Sequence, residues 1–191
     1  MTGIYVPIDS SLLKGLIPPG EEIIYSSLAD VIESGGSAVY GSYTASWISH
    51  ILLTPKSFAY TRARRSKSPE IYCVPLYTVR SFYYNVRSLQ GGIEYKRRPF
   101  IRFDLRWEKN FETIETFTKR NTEFAYKYSP YLLEAKRERL NEMQANPGEF
   151  KKSQIKKMYK NFVETEKIMI RIARDYDKIV EKYPAFYGKK E

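Results

Sequence analysis

The chain has 191 residues, a net charge of +10, one cysteine and one histidine. That length supports one core domain plus an extension without covalent staples, which excludes a disulfide scaffold, and a lone histidine leaves little room for imidazole chemistry. The positive charge favours anionic partners: nucleic acid, acidic lipid or an acidic protein surface.

The N-terminal MTGIYVPIDSSLLKG lacks the basic start and apolar run of a signal peptide. No apolar stretch approaches the ~20 residues of a membrane span. A cytoplasmic protein, at most peripheral at a membrane, is expected. Charge is spread unevenly: no Lys or Arg lies between Lys14 and Lys56, whereas Glu21, Glu22, Asp30 and Glu33 do.

Up to Trp107 the periodicity is that of strands. Candidates in chain order are EEIIYSS from Glu21, SWISHILLT from Ser46, KSFAYTR from Lys56, EIYCVPL from Glu70, YTVRSFYYNVR from Tyr77 and GGIEYK from Gly91. All are rich in Tyr, Ile, Val and Phe. In IRFDLRW, Ile101, Phe103, Leu105 and Trp107 alternate with Arg102, Asp104 and Arg106, so one face packs and the other is wet. Turn chemistry separates the runs at Ser34 to Ser37, Arg64 to Pro69, Leu89 to Gly92 and Lys96 to Pro99, and such short connections imply antiparallel neighbours.

After Trp107 the period becomes helical. Asn110 caps a helix carrying Phe111, Ile114, Phe117, Phe124 and Tyr128, with Glu112 and Glu115 near its positive end, and this helix should lie against the sheet. Ser129-Pro130 opens a second helix, or a kinked continuation, through Tyr131, Leu132, Leu133 and Leu140. ANPGEF, Ala145 to Phe150, is a breaker. A last helix runs from about Lys151 to Tyr183. Its seam of Ile155, Met158, Phe162, Thr165, Met169, Ile172, Tyr176, Ile179 and Tyr183 alternates threes and fours. A stripe of that length must be covered, either by folding back on Tyr131 to Met143, by homo-oligomer formation through this helix, or by docking on another protein.

GEEIIY after LIPP, then ILLTPKSFAYTR, then IYCVPLYTV, resemble the pattern of bacterial pleckstrin-homology-like (PH-like), GRAM and GLUE domains over about Leu16 to Tyr128. The resemblance implies an α+β fold: a PH-like antiparallel β-barrel of about seven strands closed by a helix, here as a domain over 1–128 with an α-helical extension over 129–191. It also implies a non-catalytic recognition module for phosphoinositides or proteins. Two departures stand out. The stretch from Leu28 to Ser46 is long for a connection between the first two strands. It also holds acids and no Lys or Arg, where phosphoinositide-binding members carry their basic residues.

The inventory gives no catalytic residue, metal site or cofactor, and an enzyme is not expected. His50 falls in a strand and reads as structural; Cys73, within IYCVPL, reads as a small buried hydrophobe. Asp175 and Asp177 are two apart on a helix and point to different sides, and the double glycines lack the strand-to-helix context of a phosphate loop. What remains is a set of basic turns. Arg62, Arg64, Arg65 and Lys67 fall at one hairpin end, and Lys96, Arg97 and Arg98 at another. If the two share an end they form a positive rim for an acidic membrane lipid. A partner protein needs no such rim, and nucleic acid is the alternative anion, served by the seventeen tyrosines as base-stacking surfaces.

Overall fold

The computed structural model describes residues 13–37, 41–64, 67–85, 90–97, 100–106 and 114–182. The chain is α+β, a curled seven-stranded antiparallel sheet followed by two long helices. The strands are β1 Tyr25–Ser37, β2 Gly41–Leu53, β3 Ser57–Arg64, β4 Lys67–Pro75, β5 Ser81–Asn85, β6 Gln90–Arg97 and β7 Phe100–Leu105; the helices are α1 Ile114–Ala145 and α2 Lys152–Lys182. Two compact units result, Met1–Ser81 with Gly92–Glu108, and Phe82–Gly91 with Lys109–Glu191.

The sheet order is β4-β3-β2-β1-β7-β6-β5. It ends at β4 on one side and β5 on the other, so the sheet is a half-barrel and not the closed barrel expected. Its curl follows from ring contacts. Tyr60 on β3 and Tyr95 on β6 have three strands between them, about 19 Å in a flat sheet, yet their ring centroids are 5.6 Å apart. Phe58 and Tyr60 also meet Phe103 of β7 at 5.1 and 5.0 Å. The inner face is therefore an aromatic core, completed by buried Ala29, Val31, Trp47, Ile51, Leu53, Ile93, Ile101 and Leu105. A smaller cluster of Leu13, Leu52 and Ala59, with Ile17, Ile23, Ile71 and Cys73 against it, packs on the outer face of β2, β3 and β4.

The long stretch from Leu28 to Ser46 is no connection. It is a ladder, with β1 and β2 paired from Tyr25↔Leu53 to Ser37↔Gly41. Ala29, Val31 and Glu33 are all buried on one face, so the alternation holds although Ala, Asp and Gly are poor strand formers. The run from Tyr77 to Arg87, in contrast, is not one strand. A 3₁₀ turn at Leu76–Thr78 precedes β5, fixed by the Thr78 hydroxyl donating to the Pro75 carbonyl at 2.7 Å.

In the helical unit α1 continues through Pro130. Ser129 Oγ donates to the Ala125 carbonyl at 2.5 Å, a bond within one unbroken helix and not the cap of a second one. No helix boundary falls at Ser129, and Phe82–Gly91 joins the helices in the second compact unit. Phe82 meets Phe124 at 5.4 Å, and the Tyr84 hydroxyl donates to Asp175. Asn121 leaves no room for a side chain at Gly91. Asn110 and Phe111 lie outside the described residues. The helices pack as an antiparallel hairpin: Tyr126 stacks on Tyr176 at 4.2 Å near one end, and Lys136 Nζ donates to Thr165 Oγ1 at 2.7 Å farther along.

Candidate functional site

The strand registers place the basic turns. β1 and β2 meet at Ser37↔Gly41, which defines one end of the sheet. β7 runs antiparallel to β1 with Phe100 opposite Ser34, so the β6–β7 turn lies at that same end. β3 leaves β2 at Leu53↔Phe58 and runs back toward Ser37, so the β3–β4 turn does too. Arg64 and Lys67 are paired residues at the tip of one hairpin; Lys96 and Arg97 pair with Ile101 and Phe100 at the tip of the other. Arg65 and Arg98 lie outside the described residues.

Both basic hairpins bend just before their tips. The register shifts between Arg62 and Arg64 on β3, and between Glu94 and Lys96 on β6. A bulge adds twist and re-aims the strand end, which is where proteins tend to place one beside a binding surface. The strand bodies meet through Tyr60 and Tyr95, four residues before Arg64 and one before Lys96. The sheet's curl thus brings the bodies of β3 and β6 together, although three strands lie between them in the sheet order.

Arg62 has another role. It faces inward, opposite Glu70 in the register, and its guanidinium reaches Glu33 at 2.6 Å. Glu33 is 3% exposed, so this ion pair neutralises a buried carboxylate. Partial burial pulls the guanidinium pKa down, while Glu33 and the Tyr72 hydroxyl more than restore it, leaving it above its usual value. Tyr72 in turn donates to Glu70 and stacks on Tyr60 at 5.1 Å. Burial, then the neighbouring Tyr95 and Tyr72, push the Tyr60 hydroxyl well above the usual tyrosine range. Arg62, 31% exposed, is thus engaged by the buried Glu33. Arg62→Met is expected to cost about 3 kcal/mol by stripping a buried charge of its counterion; adding Glu33→Gln should return more than half of that in urea denaturation.

The outer face of the other half of the sheet carries a charge ladder that alternates in sign except where the carboxylates Asp104 and Asp30 face each other. Arg80 pairs with Glu94, which faces Arg102; Arg102 meets Asp104 at 2.7 Å; Asp104 faces Asp30; and Asp30 takes Arg106 at 2.7 Å. Burial first, and then Asp30, push the Asp104 carboxyl up to about 7. An acid whose folded pKa is raised stabilises the fold in its protonated form, so stability falls as pH rises from about 4, where the unfolded chain ionises, to about 7. Each pH unit between the two pKa values is worth about 1.4 kcal/mol. The Asp104→Asn variant should lack this slope, and melting wild type and variant side by side from pH 4 to 8 would show it.

The remaining sequence candidates are placed as follows. Of the seam on α2, Met158, Thr165 and Ile172 are buried, while Ile155, Phe162, Met169, Tyr176 and Ile179 are half-buried; Tyr183 lies outside the described residues. The seam's one polar member, Thr165, receives Lys136, a lysine only 2% exposed that the periodicity gave no reason to single out. Cys73 is half-buried against the smaller cluster, and burial pushes its thiol up. Among the described residues no group of three or more His, Cys, Asp or Glu is placed to hold a metal ion, and no helix is long and apolar enough to cross a membrane.

Comparison with models of protein families and with characterised proteins finds no match to this sequence.

Proposed function

We propose that this protein is a non-catalytic docking module whose β3–β4 and β6–β7 turns grip an anionic membrane surface. The carrying observation is that the registers put Arg64, Lys67, Lys96 and Arg97 at one end of the sheet, on strands joined through Tyr60 and Tyr95. Seven antiparallel strands followed by a helix is also the element order of the PH-like domains that the strand motifs resemble. The absence of Lys and Arg from the β1–β2 hairpin shifts the contact to the other two turns at that end.

Each basic residue near an anionic surface contributes about 1 kcal/mol, so four to six give roughly millimolar to tens-of-micromolar affinity. Binding of that strength is reversible and salt-sensitive. Reversing two charges with Arg64→Glu and Arg98→Glu should lower vesicle binding by at least about 30-fold. Co-sedimentation with phosphatidylserine-containing vesicles at low salt is the assay, and equal pelleting of wild type and variant would remove the basic turns from the mechanism. Nucleic acid is the second reading. Base stacking needs accessible rings, and Tyr60 and Tyr95 are 5% and 7% exposed inside the sheet. A wild type that ignores vesicles but shifts single-stranded oligonucleotides would favour that reading.

A further inference from the structure

The outer stripe of α2, distinct from the seam that faces α1, is chemically self-complementary. Its apolar residues are open: Tyr159 is 56% exposed and Ile170 63%, with half-buried Val163 between them and the exposed pair Glu166 and Lys167 at the midpoint between Val163 and Ile170. Residues at three- and four-residue steps continue the same line toward both helix ends. Toward the start they are Lys156 and then Lys152; toward the finish, Arg174, Asp177 and Glu181, all exposed. One end of the stripe is cationic and the other ends in two carboxylates.

We propose that α2 pairs with the α2 of a second copy of this chain, antiparallel, about a two-fold axis between Glu166 and Lys167. In that register Val163 meets Ile170, Tyr159 meets Arg174, Lys156 meets Asp177 and Lys152 meets Glu181, and the two-fold axis repeats each pair. Val163 and Ile170 are covered, Glu166 meets Lys167, Arg174 comes to the face of a tyrosine ring, and every outer charge finds its opposite. A parallel pairing would set lysine on lysine and carboxylate on carboxylate. A lipid surface is a poorer occupant than a second copy, because Asp177 and Glu181 lie on the same stripe and would be repelled by acidic headgroups. The dimer presents two sets of basic turns at once, and a weak membrane contact gains from such avidity.

Sedimentation equilibrium of the full chain at low salt tests this. At about 200 µM, well above the dissociation constant expected for a small interface of this kind, the mass should approach twice the 22.5 kDa of the chain. Ile170→Glu should shift the protein to monomer while leaving helix content and melting temperature unchanged, since that side chain makes no core. Lys156→Glu and Asp177→Lys should each weaken dimerisation about tenfold, two pairs being lost per dimer. Combined, they place swapped charges on facing positions and should restore dimerisation to within about threefold of wild type. A wild type that stays monomeric, a dimer indifferent to Ile170→Glu, or a double variant no better than the single ones would overturn the proposal.

Discussion

Ile172→Asp is expected to unfold the helical hairpin. Ile172 is 1% exposed in the seam between α1 and α2, and Lys136, the buried cation of that interface, already donates to Thr165. A carboxylate at 172 would be desolvated two helical turns from Thr165, at a cost of about 4 kcal/mol, against about 1 kcal/mol for Ile172→Val, which removes only a methyl group. Thermal denaturation followed by circular dichroism reads the difference as a loss of helical signal at low temperature. Phe162→Asp, at a half-buried seam position, should cost less. Equal melting of wild type and Ile172→Asp would show the stripe to be uncovered in solution.

Gly92→Val is expected to disrupt the sheet with a comparable effect. Gly92 has φ of 156° and sits opposite Asp104 on β7. A Cβ there would lie 1.9 Å from the Phe103 carbonyl oxygen, a backbone atom fixed by β7's own pairing with β1, so nothing flexible can yield. The strands must part locally, and the loss is about 3 kcal/mol or more. Gly148, with nothing within 4 Å of its ideal Cβ, is the control, and Gly148→Ala should leave the urea midpoint almost unchanged. If both variants melt alike, the close approach of β6 to β7 is wrong.

The strand content was legible where alternation was strict. Phe100 to Leu105 forms β7 because Ile101, Phe103 and Leu105 share the buried face. The β1–β2 hairpin was hidden because its buried face uses Ala29 and Glu33, and a glutamate signals burial only once Arg62, 29 residues away, is known to meet it. The same pair explains why Arg62 looked like a member of the basic turns: charge is visible in a sequence, and the side of a strand on which it is neutralised is not. Pro130 pointed to a helix start, since proline favours first turns, yet the packing of α1 along α2 carries the helix past the missing N–H. The seam on α2 was plain from its spacing. Lys136 was not, because a lysine between Ala135 and Arg137 reads as solvated until Thr165 is seen across from it.

For the candidate site, the residue types were legible and their placement in the sheet was not. TRARRSK and YKRRP announce two basic turns, but only the registers put both at one end, and only the Tyr60–Tyr95 contact draws their strands together. The most direct measurement is amide NMR of the wild-type chain titrated with phosphatidylserine-containing nanodiscs at low salt. The expected result is line broadening concentrated at Arg64 to Lys67 and Lys96 to Arg98, lost on adding salt and small elsewhere. Broadening confined to α2, or a spectrum that does not change, would contradict docking through the basic end of the sheet.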